Sequence, residues 1–239
     1  MSYRFFALSI AGGRGERLRP ITDNRPKPMV EINGKPIISY QVDWMRAQGV
    51  TDVVFLTGYM GGMIQDYFGD GSEYGITAHY SMEKTPLGRG GALKQGLSLV
   101  PKDVDYVLVA NGDIITNQPL EPIEKLHEES GAVGTMMLVP YPNQYGVVES
   151  NDQNIVTNFI EKGSLPFWIN GGVYLFDRQI ESMLPDIGDH ETSTFQDLAK
   201  EGRLSVYRSD MAWMSIESQK DLTNITAQIN EGHVVLPGI

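Results

Sequence analysis

Residues 12 to 29 read Gly-Gly-Arg-Gly-Glu-Arg-Leu-Arg-Pro-Ile-Thr-Asp-Asn-Arg-Pro-Lys-Pro-Met and hold the densest chemistry in the chain. Glycines at 12, 13 and 15 leave backbone N–H groups uncovered, and such groups can crowd around an anion. Arg14, Arg17, Arg19, Arg25 and Lys27 put five cations into fourteen residues, against only Glu16 and Asp23. Bare donors beside clustered cations suit a triphosphate; the plainer reading is a solvated basic loop. The segment directly follows an apolar run, Phe5 to Ile10, that reads as a buried first strand, and this position favours an anion site.

Two common nucleotide motifs are excluded. G-x-x-x-x-G-K-[ST] is absent, and G-x-G-x-x-G fails because position 18 is Leu. Prolines at 20, 26 and 28 keep a helix from starting promptly. Further along, Asn111-Gly112-Asp113 ends the apolar run Tyr106 to Ala110. A carboxylate at the C-terminal edge of a parallel sheet lies where such folds bind ligands, so Asp113 is a candidate for a hard cation such as Mg²⁺. The same tripeptide also suits a simple turn. Glu83 to Ala92 is a second glycine-rich stretch opening onto a helix. Small residues at 88, 90 and 91 permit close approach by a base or ribose. Glu83 can accept hydrogen bonds from guanine N1–H and its amino group, or be a surface charge.

Composition narrows the class. The chain has 239 residues, 41% hydrophobic and 21% charged, enough for one large core or two small ones. Zero cysteines exclude disulfides, thiol nucleophiles and Cys-ligated metals. Histidines 79, 127, 190 and 233 have no paired ligand spacing and read as surface or filler residues. A net charge of −11 argues against nucleic acid as a partner and makes the basic 14–27 segment an exception. The N-terminal apolar run is too short for a signal peptide core and no stretch approaches a membrane span, so a cytoplasmic protein without membrane contact is expected.

The elements that must carry these residues follow an alternating rhythm. Strand candidates are Phe5–Ile10, Val53–Thr57, Ile76–Tyr80 and Tyr106–Ala110. Between them lie helix candidates Ile37–Gln48, Met63–Phe68 and Gly90–Leu99. In the first helix Ile37, Tyr40, Val42, Trp44 and Met45 form an apolar face and Gly49 marks the stop. This β-α-β-α order, continued into the second half, predicts an α/β, Rossmann-like layer with a central mixed, mainly parallel sheet and helices on both faces. The second half offers strands at Gly134–Val139, Val147–Ser150, Val156–Ile160 and Val173–Phe176, then helices at Arg178–Leu184, Thr194–Glu201 and Gln219–Ile229. It reads as a continuation of the sheet with a ligand-binding subregion. No linker or repeat divides the chain.

The 12–29 segment resembles the G-G-x-G-x-R-L-x-P-x-T…P-K-P-M motif of the sugar-1-phosphate nucleotidylyltransferases, and the likeness runs from residue 5 to about 227. Pro86 to Ala92 is similar to that family's P-L-G-T-x-G-A segment, with Arg89 where Thr is usual. Tyr145-Gly146-Val147-Val148-Glu149, Phe159-Ile160-Glu161-Lys162-Gly163 and Ile169-Asn170-Gly171-Gly172-Val173-Tyr174 resemble its three sugar-side motifs in order. The tail departs: Trp213-Met214-Ser215-Ile216-Glu217-Ser218 stands where W-x-D-I-G-T is common. Ser215 replaces the usual metal-binding Asp, and Glu217 falls where a cytidylyltransferase-like variant carries its carboxylate.

The resemblance implies a single nucleotidyltransferase domain over 1–239, with a nucleotide half to about 115, a sugar half from about 116, and no C-terminal β-helix. It implies transfer of a nucleoside monophosphate from an NTP to a sugar 1-phosphate, releasing pyrophosphate. Arg17 would hold the pyrophosphate, Lys27 the α-phosphate, and Asp113 with Glu217 a Mg²⁺. Gly12, Gly13, Gly15, Glu83, Gly88 and Asn111 would line the nucleotide. Gly146, Glu161, Lys162, Asn170 and Gly171 would take the sugar phosphate. The pattern looks most like mannose- or heptose-1-phosphate guanylyltransferases. Uridylyl, thymidylyl or cytidylyl transfer, a nucleotidylyltransferase for another acceptor, and a non-catalytic sugar-nucleotide sensor are the alternatives, and the sequence leaves a homo-oligomer open.

Overall fold

Continuous apolar runs, buried on both faces, build the centre of the molecule. The computed structural model describes residues 5–141, 143, 145–161, 165–232 and 234–237. The first half runs β1 (Phe6–Ala11), the short pair β2 (Glu31–Ile32) and β3 (Lys35–Pro36), α1 (Ile37–Ala47), β4 (Asp52–Thr57), α2 (Gly62–Phe68), β5 (Thr77–Met82), α3 (Gly88–Leu97) and β6 (Tyr106–Asn111). The second half adds β7 (Ile114–Thr116), α4 (Glu121–Ser130), β8 (Gly134–Pro140), β9 (Val147–Ser150), β10 (Val156–Ile160), β11 (Trp168–Asp177), α5 (Thr194–Lys200), β12 (Leu204–Arg208), β13 (Trp213–Ser215) and α6 (Gln219–Asn230).

Seven strands form one sheet in the order β12-β8-β11-β6-β1-β4-β5. Strands β6, β1, β4 and β5 are mutually parallel, β11 is antiparallel to both β6 and β8, and β12 is parallel to β8. The mixed, mainly parallel sheet expected from the sequence is therefore observed. Ala7, Val53, Phe55, Leu108 and Leu175 bury toward α1, α2 and α4, while Phe6, Leu8, Val54, Val107 and Tyr174 bury toward α3 and α5. Both faces are covered, as a parallel sheet requires.

A third cluster joins Leu18, Val30, Ile32, Ile37 and Tyr40 to Ile115, Met214, Ile216, Ile225 and Ile229. It fastens the basic loop and the C-terminal segment to the same side of α1. That helix consequently buries Ile37 and Tyr40 in this cluster and Ile38, Val42, Trp44 and Met45 against the sheet, so it is apolar on more than the one face read from its sequence.

Three features differ from the sequence reading. Helix α4 and edge strand β12 were not expected: α4 is rich in carboxylates and buries only Ile123 and His127, while β12 is largely exposed. The expected helix at Arg178–Leu184 is a stretch of 3-10 helix at Arg178–Met183. Two histidines whose spacing reads as surface or filler are buried: His127 lies between Thr135 and Asp177, and His190 against Tyr174 and Phe195. Among the described residues no helix is long and apolar enough to cross a membrane.

Candidate active site

The loop after β1 folds through three single turns of 3-10 helix, at Glu16–Leu18, Ile21–Asp23 and Lys27–Met29, rather than an α-helix. Its shape is set at Gly15. The backbone there has φ +63°, its carbonyl accepts from Thr22 Oγ1 (2.8 Å), and a Cβ would lie 2.8 Å from Lys27 Cβ. Only glycine fits that approach, and the contact holds the root of Lys27 against the start of the loop.

The five cations do not act together. Arg19 pairs with Asp23 and Arg25 with Glu31, so both are engaged locally. Arg14 lies over the Tyr59 ring, 5.6 Å from its centre. Lys27 and Arg17 converge with two carboxylates from distant segments. Lys27 Nζ donates to Asp113 Oδ2 and lies 3.2 Å from Glu217 Oε1, and Arg17 Nη2 lies 2.9 Å from Glu217 Oε2.

Each carboxylate is fixed by its surroundings. Asp113 sits in the turn between β6 and β7, and buried Gln41 of α1 holds that turn by donating to the carbonyls of Asn111 (2.7 Å) and Ile114 (3.4 Å). Glu217 directly precedes Ser218, whose hydroxyl caps α6 by accepting from Asp221 N–H, and Glu217 N–H donates to Asp221 Oδ2 (3.1 Å). Strands β7 and β13 pair antiparallel with Ser215 opposite Ile114, so the two segments bearing the carboxylates are hydrogen-bonded neighbours.

Two adjoining clefts open beside this group. One, of about 470 Å³, is lined by Gly15, Arg17, Lys27, Asn111, Asp113 and Glu217. The other, of about 450 Å³, is lined by Gly12, Arg14, Tyr59, Glu83, Pro86 and Gly88. Ile10, Gly13 and Arg89 belong to both, so the clefts share a wall. Glu83 is anchored in the second by accepting from Leu87 N–H (2.9 Å). Tyr59, Arg89 and Gln41 were missed as site residues. The Arg89 departure was the one signal that could have led to a network.

Gly90 and Gly91 do not serve an approaching base as expected. Gly90 N–H and Gly91 N–H donate to Gly188 O (2.9 and 3.3 Å), and a Cβ at Gly91 would meet Asp186 O at 2.4 Å. Their smallness lets the 185–191 segment dock on the start of α3. Arg89 completes this docking. Its guanidinium makes four hydrogen bonds, to Asp189 through Nε (2.8 Å) and Nη2 and to Glu191 through Nη1 (2.8 Å) and Nη2 (2.7 Å). Burial alone would lower the Arg89 pKa; the two carboxylates outweigh it and raise it.

The residues expected on the sugar side are spread. Gly146 packs against the Phe159 ring, and Glu161 is exposed at the end of β10; neither lines either cleft. Lys162 lies outside the described residues. Asn170 is engaged internally: its Nδ2 donates to Tyr174 Oη (2.8 Å) and Glu191 Oε1 (3.1 Å), and its Oδ1 accepts from Gly172 N–H (2.9 Å). Gly171 contributes its carbonyl to Trp213 Nε1–H (2.7 Å). The amide of Asn170 and the carbonyl of Gly171 thus both have partners within the fold.

Among the described residues no three His, Cys, Asp or Glu side chains converge. Asp113 and Glu217 do converge on Lys27. Mg²⁺ commonly takes one or two carboxylates and completes its shell with water and substrate phosphates, so this donor set fits it.

Comparison with known proteins places the chain among sequence and fold relatives. A mannose-1-phosphate guanyltransferase of Schizosaccharomyces pombe is 32% identical over 223 residues, 90% of this chain and 61% of that protein. One of Aspergillus oryzae is 33% identical over 235 residues, 92% of this chain and 63% of that protein. The chain thus spans about three-fifths of the length of the curated relatives it matches. In fold it is similar to a putative glucose-1-phosphate thymidylyltransferase from Bacillus anthracis (TM-score 0.73, 22% identity, 94% of each chain). It is equally similar to HddC from Yersinia pseudotuberculosis in complex with GMP-PN (TM-score 0.74, 22% identity, 94% of this chain and 99% of that one). The nucleotidyl transferase family matches residues 7–232, and the chain belongs to it.

Proposed function

We propose that this protein transfers a nucleoside monophosphate from an NTP to a sugar 1-phosphate, releasing pyrophosphate, with GTP and a mannose- or heptose-type sugar 1-phosphate as the substrates. The observation that carries the reading is the meeting of Lys27, Arg17, Asp113 and Glu217 in a cleft that shares a wall with one that holds Glu83. The names of the relatives at 32–33% identity support the guanine and mannose assignment. A carboxylate in the nucleoside cleft also favours guanine, because guanine offers two adjacent donors and uracil one.

The acceptor phosphate is already ionised, so the reaction needs alignment and charge neutralisation more than a general base. An acceptor phosphate oxygen attacks the α-phosphorus, the new P–O bond forms as the bond to the β-phosphate oxygen breaks, and the electron pair leaves with pyrophosphate. Lys27 offsets charge on the α-phosphate and Arg17 on the departing pyrophosphate. Mg²⁺ held by Asp113 and Glu217 would supply further charge neutralisation at the phosphates. The backbone N–H groups around Gly12, Gly13 and Gly15 receive the phosphates, while Gly88 and Asn111 border the nucleotide. Glu161 and Lys162, with Gly146, take the acceptor. The nucleotide half ends near residue 115 and the acceptor half follows it. Pyrophosphate release measured over a matrix of four NTPs and a dozen sugar 1-phosphates tests this. Release with GTP and mannose 1-phosphate or a heptose 1-phosphate is expected, and no release with any pair would refute it.

A further inference from the structure

A β-bulge touches both of the segments that bear Asp113 and Glu217, which are themselves paired through β7 and β13. The pairing of β11 with β8 shifts register between Asn170 and Tyr174, and Gly172 adopts φ +69° there. On one side Gly172 abuts Asn111, two residues before Asp113, so closely that a Cβ would lie 2.7 Å from Asn111 Nδ2. On the other side the Gly171 carbonyl holds Trp213 Nε1–H at 2.7 Å, four residues before Glu217. The bulge therefore contacts the β6 end and β13 at once.

Its shape is held from outside. Asn170 Oδ1 grips Gly172 N–H at 2.9 Å, and Asn170 Nδ2 is in turn held by Glu191 Oε1 at 3.1 Å. Tyr174 Oη donates to the same Glu191 oxygen (3.2 Å), and burial together with that carboxylate raises its pKa, which keeps it a donor. Glu191 itself is fixed by two hydrogen bonds from Arg89. A continuous chain of contacts thus runs from the nucleoside loop through Arg89, Glu191, Asn170 and the bulge to both carboxylate-bearing segments.

We propose that Glu191, clamped by Arg89, is a positioning residue that sets the spacing of the Asp113–Glu217 carboxylate pair through Asn170 and the Gly171–Gly172 bulge. This rests on the reading of those carboxylates as the metal ligands. It gives Asn170 and Gly171 a structural task, and it accounts for Arg89 in place of the usual Thr: a guanidinium can fork two carboxylates, which a hydroxyl cannot.

The test is Mn²⁺ binding to the whole protein, read from the paramagnetic resonance signal of free Mn²⁺, alongside initial rates. Glu191→Gln keeps the side-chain size and removes the charge that Arg89 grips. It should weaken Mn²⁺ binding about fivefold and lower kcat, with the acceptor KM close to wild type, as expected when an outer contact orients a ligand. Lys94→Met, which breaks the ion pair to Asp186 on the same docked segment but off this path, should match wild type in both readouts. An acceptor KM that rises while Mn²⁺ affinity stays constant would mean the network binds sugar, and the proposal falls. Should Glu191→Gln fail to fold, Arg89→Lys, which keeps the charge and loses the fork, gives the same readout. Because Mn²⁺ binding needs no substrate, a wild-type protein inactive with every substrate pair refutes the proposed function alone. Unchanged Mn²⁺ affinity in the variants, or no Mn²⁺ binding by wild type, refutes the positioning role.

Discussion

Replacing Lys27 with Met should tighten binding of a divalent cation to the nucleotide-free protein while nearly abolishing turnover. Lys27 Nζ touches Asp113 Oδ2 and lies 3.2 Å from Glu217 Oε1, and the three side chains are 14%, 20% and 39% exposed. Unit charges this close attract by roughly 4 kcal/mol at the effective dielectric of a protein edge. Partial exposure, above all at Glu217, and the desolvation of the ammonium reduce this to about 1–2 kcal/mol net per contact. A cation entering between the carboxylates must displace the ammonium or sit beside it, and either loses that attraction. Removing the charge should therefore raise Mn²⁺ affinity about tenfold or more, since 1.4 kcal/mol is a factor of ten. Lys27→Arg, which keeps the charge, should show no such gain. Turnover of Lys27→Met on saturating substrates should fall roughly 100-fold or more, from loss of the cation at the α-phosphate. Titration of Mn²⁺ by calorimetry, with rates measured on the same preparations, gives both numbers. Equal or weaker Mn²⁺ binding in Lys27→Met would show that the ammonium is not holding the metal position, and near-normal turnover would remove Lys27 from the reaction.

Three other outcomes are expected. Glu217→Gln should raise the Mg²⁺ concentration giving half-maximal rate, and Ser215→Asp should do little or crowd the site, because Glu217 already meets Lys27 there; if only Asp113→Asn changes the Mg²⁺ dependence, the site has one protein carboxylate. Glu161→Ala and Lys162→Ala should weaken sugar 1-phosphate binding far more than NTP binding in separate calorimetric titrations, and equal losses would mean the halves of the pocket are wrongly divided. Burial, partly opposed by Asp189, lowers the His190 pKa from 6.5 to about 4, so the unfolded chain takes up a proton there before the folded one does. Its contribution to stability is present above pH 6.5 and falls as pH drops toward 4, by about 2 kcal/mol between pH 7 and 5; His190→Phe should flatten the denaturant midpoint over that range, and an unchanged pH slope would exclude His190 as its source.

Much of the architecture was legible because its signals are local. The apolar runs Phe6–Ala11 and Tyr106–Asn111 encode strands buried on both faces, and that holds whatever the neighbouring strands are. The Gly15 and Lys27 motif is likewise local, since both residues lie in one loop and touch through its turns. The sequence also singled out Asp113 and Glu217, but as separate points on the chain. Their meeting at Lys27 depends on β7 pairing with β13 and on a core that joins Leu18 to Ile216 and Ile225, contacts that no spacing along the chain encodes.

Only the tertiary structure decided what the remaining glycines and polar residues do. Gly90 and Gly91 carry the same residue type as a phosphate loop, yet their N–H groups meet Gly188 O, because a bare backbone accepts protein as readily as ligand. Asn170 reads as a ligand residue from its motif, and in the fold its amide grips a bulge, since an amide's partners are set by what folding brings near it. Arg89 stood out as a departure without a partner in sequence, and its partners Asp189 and Glu191 arrive from the far side of β11. Residue type and period determine which groups are available and which face they take. Long-range packing decides which of them remain free to meet a substrate, because each hydrogen bond made inside the fold is one no longer offered to a ligand.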